Sequence, residues 1–179
     1  MYENLKNKVI FVTGLPGSGK KKFAVSLSDN VIFLDKYRYL ENWTRKDNKD
    51  YLDEINRKLD NLKNEEKIVI CGNYDDPDDI QNTNINLIHE LSKCGCITKV
   101  YIMEIVCQVK MIASLIKIYG DRLVKNEKHI SGNKETSKLT AYYILLNSNK
   151  YTQISNNLIN LSRFCQENQI DLYSDYSSY

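Results

Sequence analysis

Residues 8–20 read KVIFVTGLPGSGK, and this stretch decides the fold. Val9 to Val12 is a short, largely β-branched apolar run, which predicts a buried strand over Lys8–Thr13. Beyond Gly19 the sequence KKKFAVSLSDN predicts a helix of about two to three turns, with Phe23, Ala24 and Leu27 on one side. A strand that turns through glycines directly into a helix is the setting in which Gly-x-x-x-x-Gly-Lys acquires physical meaning. Gly14, Gly17 and Gly19 allow the backbone to curl so that successive amides point inward at phosphate oxygens. The start of the helix adds partial positive charge, and Lys20 adds a point charge for β- and γ-phosphates. The stretch therefore predicts a site for the phosphates of a nucleoside triphosphate, built from Gly14, Pro16, Gly17, Ser18, Gly19, Lys20 and Lys21.

Outward from this loop, strands alternate with helices. Val31–Leu34 predicts a second strand ending at Asp35, and Lys67–Cys71 a third, ending at Asn73, Tyr74, Asp75, Asp76 and Pro77. Between them, Tyr51, Leu52, Ile55, Leu59 and Leu62 recur at helical spacing within a polar segment. Asp78 or Asp79 is positioned to cap the next helix, which carries Ile80, Ile85, Leu87, Ile88 and Leu91. Thr98–Val106 predicts a fourth strand and Val109–Tyr119 an amphipathic helix stopped near Gly120. The charged stretch Asp121–Glu135 reads as a loop or mobile element. Leu139–Leu146 and Ile154–Phe164 predict further helices, Gln169–Tyr173 a short last strand, and SDYSSY a frayed tail. The expectation is one α/β domain over residues 1–179, with a parallel sheet of about five strands and helices on both faces.

Composition sets outer limits. A chain of 179 residues with 42% hydrophobic and 27% charged residues is ordinary for a soluble globular protein. No apolar run approaches the ~20 residues of a bilayer-crossing helix. The N-terminal residues lead straight into the glycine loop, which argues against a cleaved signal peptide. A net charge of +2 gives no bulk attraction to nucleic acid or membrane. Five cysteines at irregular spacing do not form a disulfide framework, and Cys94-Gly95-Cys96 has no matching second pair for a metal. Reduced thiols in a cytoplasmic setting are the simplest account. Plentiful Lys, Asn, Ile and Tyr with scarce Arg resemble the product of an AT-rich genome, such as that of some large DNA viruses or protozoa.

One position departs from the loop's usual chemistry. The residue after the lysine is normally Ser or Thr, whose hydroxyl ligates Mg²⁺. Here it is Lys21, and an ammonium cannot ligate a cation. Three alternatives stay open: Ser18 or Asp35 holds the metal, directly or through water; Lys21 itself offsets phosphate charge; or catalysis is weak or lost and binding remains.

In open parallel sheets, ligands sit beyond the carboxyl ends of the strands. Strand two delivers Asp35 there, with Arg38 one helical turn on. The glycine loop together with FLDKYR resembles the small P-loop kinases of the nucleoside, nucleotide and polynucleotide kinase group, closest to the 5′-hydroxyl polynucleotide kinase type. The resemblance implies a three-layer P-loop fold with a mobile helical lid, here about residues 117–138, and ATP or another triphosphate with Mg²⁺. It implies that Asp35 accepts the proton of the attacking hydroxyl and that Arg38 helps hold the acceptor phosphate. It also implies that Arg122, in IYGDRLVKNEK, stabilises charge on the transferred phosphoryl group. Physical reasoning agrees in outline, since a carboxylate orients a hydroxyl for in-line attack and arginine neutralises developing charge. Helix capping for Asp35 and solvated surface positions for the two arginines are the structural alternatives. Asp75 and Asp76 could bind metal through water or simply form the turn before Pro77. Tyr37, Tyr39 and Trp43 could stack an acceptor base or pack in a core or lid.

The expected activity is transfer of a γ-phosphate to a hydroxyl or phosphate of a nucleoside, nucleotide or nucleic-acid end. The rival from another class is a non-catalytic nucleotide-binding or scaffold protein. No Asn-Lys-x-Asp guanine-reading motif is present, which argues against a GTPase switch. Acceptor identity, donor base and oligomeric state are open, a homodimer included.

Overall fold

Alternation along β1 dictates the architecture. Val9 and Phe11 join one apolar cluster, Ile10 and Val12 another, and all four are buried. A strand buried on both faces needs a covering layer on each side. The computed structural model describes residues 2–15, 18–38, 40, 45–75, 79–104 and 149–176. After a 3-10 turn at Glu3–Leu5, the elements are β1 (Val9–Gly14), α1 (Lys20–Leu27), β2 (Val31–Phe33), α2 (Leu34–Arg38) and α3 (Asn48–Asn61). Then follow β3 (Ile68–Cys71), α4 (Thr83–Lys93), β4 (Ile97–Glu104), α5 (Asn149–Glu167) and β5 (Asp171–Tyr176).

The five strands form one sheet in the order β2-β3-β1-β4-β5, and every neighbouring pair is parallel. The expected parallel α/β sheet flanked by helices is therefore present. From β1 the chain steps two places along the sheet to β2, whereas every later crossover runs the opposite way. Right-handed crossovers then place α1 on one face and the later helices on the other. The packing agrees. Ala24, Phe23 and Leu27 of α1 lie with Ile10, Val12, Val69, Cys71 and Met103. Tyr51, Ile55 and Leu59 of α3, Leu87, Ile88 and Leu91 of α4, and Leu161 and Cys165 of α5 lie with Phe11, Ile70 and Val100 on the opposite face.

Several boundaries differ from expectation. Strand β2 ends at Phe33, because Leu34 turns into α2 and packs against Gly72. A Cβ at Gly72 would lie 2.7 Å from that of Leu34, so only glycine admits this approach. Helix α4 begins at Thr83, with Asn82 in the left-handed conformation at φ +50°. Asp79 nonetheless does the work of a cap, accepting the Thr83 amide at 2.8 Å. Ser174–Tyr176, expected to fray, belong to β5 and pair with Ile102–Glu104.

Helix α5 is held to α4 by the stacked rings of His89 and Phe164, 3.9 Å apart and 8° from parallel. The Tyr74 hydroxyl lies 2.7 Å from His89 Nε2, and Asn157 donates to Asp75. Among the described residues, no helix is long and apolar enough to cross a membrane. The helices expected over Val109–Tyr119 and Leu139–Leu146, the loop Asp121–Glu135, the lid and Arg122 lie outside the described residues. So do Pro16, Gly17, Tyr39, Trp43 and Asp76.

Candidate functional site

The end of β1 is shaped by backbone that only glycine adopts comfortably. Gly14 has φ +145° and Gly19 φ +80°. A Cβ at Gly14 would stand 2.5 Å from the Met103 carbonyl oxygen and 2.8 Å from Ser18 Oγ. Both conformation and space thus exclude a side chain there, and the loop is pressed against the end of β4. The Ser18 amide donates to the Leu15 carbonyl at 3.1 Å, and Gly19 leads into α1.

Lys20 opens α1 and is only 7% exposed. Its Nζ donates back to the Leu15 carbonyl at 3.3 Å, which places the ammonium against the loop that precedes it. Burial pulls its pKa below the ordinary lysine value, while the Asp35 carboxylate opposes that shift. Ser18 Oγ is likewise buried and has no hydrogen-bond partner among the described residues. A buried hydroxyl in that state costs about 1–3 kcal/mol, so Ser18 is a polar group that the described residues do not satisfy. Cys71, at the end of β3, is no nucleophile: burial pushes its thiol up to about 12.

Lys21 follows in the first turn of α1, and its Nζ lies 3.2 Å from Asp35 Oδ2. The same ammonium is 6.0 Å from the centre of the Phe33 ring. Asp35 sits in the first turn of α2, directly after β2, with its side chain 30% exposed. The structure thus brings together Gly14, Ser18, Gly19, Lys20, Lys21 and Asp35 at the carboxyl ends of β1 and β2.

A magnesium ion requires oxygen ligands in near-octahedral array. Position 21 supplies an ammonium, and that ammonium already engages the carboxylate best placed to serve. With Oδ2 held by Lys21, only the second oxygen of Asp35 is left for other partners, and position 21 offers a cation no lone pair. Ser18 Oγ is the one loop hydroxyl among the described residues. Nor do three or more His, Cys, Asp or Glu side chains gather into a metal-holding group among those residues.

Arg38 points elsewhere. It is 3% exposed, and its Nη2 lies 3.0 Å from Asp79 Oδ2. Its guanidinium lies 4.6 Å from the centre of the Tyr51 ring. Arg45 Nη2 approaches the same Asp79 oxygen at 3.3 Å. Burial disfavours ionisation of Asp79, but hydrogen bonds from Thr83 and the charge of Arg45 outweigh it and hold the carboxyl below its usual range. Asn48 Nδ2 and the Gln81 amide also donate to Asp79 Oδ1, at 3.3 and 3.2 Å. Tyr51 in turn donates to Asn84 at 2.8 Å, and Asn84 to the Asn73 carbonyl at 2.9 Å. Arg38 therefore ties α2 to the entrance of α4, and Asp79 is a central residue that sequence reading assigned only to capping.

Asp75 is buried and accepts from Asn157 of α5, while Tyr37 packs at the edge of the larger core. The pairing of Lys21 with Asp35 had a readable signal, since both follow strands expected to end at the same edge. The Arg38–Asp79–Arg45 cluster had none, because spacing along a chain does not reveal which distant charges meet. No protein-family model matches the chain, and no curated protein matches it in sequence.

Proposed function

We propose that the chain binds a nucleoside triphosphate such as ATP at the loop Gly14–Lys20 and transfers its γ-phosphoryl group, in the manner of the small P-loop kinases. The acceptor is a hydroxyl or phosphate of a nucleoside, a nucleotide or a nucleic-acid 5′ end. One observation carries the reading: a buried Lys20 ammonium and a buried, unpartnered Ser18 hydroxyl lie together at a glycine loop on the carboxyl edge of a parallel sheet. Such groups are costly to keep without a ligand that satisfies them. An anion with several oxygens meets that need, and the start of α1 favours negative charge.

In the reaction, the bond between the γ-phosphorus and the β,γ-bridging oxygen breaks as the acceptor oxygen bonds to phosphorus. Lys20 and the loop amides neutralise the donor phosphates. The acceptor proton passes to Asp35, whose Oδ2 is engaged by Lys21 and whose second oxygen serves the hydroxyl. A cytoplasmic setting, rich in nucleoside triphosphates and reducing toward the free cysteines, suits this chemistry.

A second reading, nucleotide binding without transfer, is favoured by a specific contact: the ion pair between Lys21 and Asp35 occupies the proposed base. One experiment separates the two. ATP should raise the melting temperature of the wild type, and Lys20→Ala should abolish that rise; an unchanged rise would remove the loop from the site. Radiolabelled γ-phosphate should then appear on one member of a panel of nucleosides, nucleotides and 5′-hydroxyl oligonucleotides. Asp35→Asn should lose this transfer while keeping the ATP-induced stabilisation. Stabilisation with no transfer to any acceptor establishes the second reading.

A further inference from the structure

We propose that Lys21 takes the place of the divalent cation, so that the loop binds the nucleoside triphosphate as a metal-free anion held between the ammoniums of Lys20 and Lys21. The inference rests on the nucleotide-binding reading above and specifies which form of the nucleotide the site accepts. Its basis is a mismatch between the donor set and a metal. Position 21 carries an ammonium, a donor with no lone pair for a cation. The carboxylate nearest the loop faces that ammonium at 3.2 Å instead of standing free. A divalent cation brought to this place would be repelled by Lys21 and by the adjacent Lys20.

The geometry suits the substitution. Lys21 is paired with Asp35, and its side chain is 55% exposed, so its ammonium stays open to solutes at the loop. Phe33 lies beneath it, and contact with an aromatic face favours a cation there. Two ammoniums and the start of an eight-residue helix together oppose the charge of a triphosphate tail. An independent feature calls for a ligand at the same place: Ser18 is 1% exposed and its Oγ has no partner.

Titration calorimetry of the full chain with ATP, in EDTA and in excess magnesium chloride, tests the proposal. Wild type should bind in EDTA, and excess magnesium should weaken apparent affinity about tenfold or more by converting free ATP to its magnesium complex. Lys21→Ser, a change at a largely exposed side chain, should reverse the preference. Losing one charge-assisted contact weakens binding in EDTA about tenfold, and the new hydroxyl makes magnesium tighten binding. Lys21→Arg should keep the wild-type order, with circular dichroism confirming that each variant is folded. Tighter wild-type binding with magnesium, or an unchanged metal preference in Lys21→Ser, overturns the proposal and leaves the nucleotide-binding reading intact. No heat and no thermal stabilisation with ATP under either condition overturns both.

Discussion

Two basic regions flank the carboxyl edge of the sheet, and they treat their charges in opposite ways. Around Asp79, the guanidiniums of Arg38 and Arg45 meet a carboxylate that also receives backbone and side-chain donors, and Tyr51 stacks on Arg38. Around the glycine loop, Lys20 is buried against the Leu15 carbonyl, and Ser18 Oγ has no hydrogen-bond partner among the described residues. The first region spends its charge on the fold. The second leaves its buried ammonium and hydroxyl less fully satisfied, with Asp35 paired to the exposed Lys21, and the proposed function rests on that difference. Arg38 and Lys20 look equally suited to phosphate in the sequence; their surroundings distinguish them.

Breaking the compensated region should have the largest effect. Asp79→Asn leaves two guanidiniums without their shared carboxylate and should cost about 3–5 kcal/mol in urea denaturation. The ATP response of the folded fraction should persist. Because the Asp79 carboxyl is held below its usual range, its stabilising contribution is complete above the ordinary carboxylate value of about 4 and is lost as pH falls through the folded value. Acid denaturation of the variant should therefore begin from a lower plateau and show a shallower fall.

The loop responds differently. Gly14→Ala forces a side chain into a backbone conformation and a gap that refuse it, and should cost about 1–3 kcal/mol while abolishing ATP-induced stabilisation. Smallest in size, and opposite in sign, is Lys20→Met. It removes a buried, poorly compensated ammonium and should raise stability by about 1 kcal/mol while eliminating the ATP response. The folded pKa of Lys20 lies below the ordinary 10.5, so between those values the unfolded chain binds the extra proton. Wild-type stability should accordingly rise with pH through that window, and the variant should lack the rise. A destabilised Lys20→Met would erase the distinction between the two regions.

Much of the sheet was legible because VIFV, VIF and IVIC are short apolar runs that only a twice-covered strand requires. Strand β5 was less so. It begins at Asp171 rather than Gln169, since Gln169 at φ +54° still belongs to the turn after α5. Its exposed edge position also permits a polar sequence that resembles a tail. The glycine loop was readable because backbone conformation demands glycine, and glycine is visible in any sequence. The partner of Arg38 was not, because Asp79 comes to it through the fold, from the segment between β3 and α4. Leu34 illustrates the same limit: its side chain turns inward against Gly72, a contact that no local pattern announces.

The central place of β1 has a consequence for how the molecule assembles. Val9 pairs with Ile68 on one side and Ile97 on the other, so the strand that carries the glycine loop has only distant partners. Such contacts form slowly, after long stretches of chain have been drawn together. Gly14 reaches its final conformation against the Met103 carbonyl, which is in place only once β4 has docked. If the proposed site is right, its response to ATP should appear late in refolding, after the β2–β3 pair has formed and β4 has docked against Gly14.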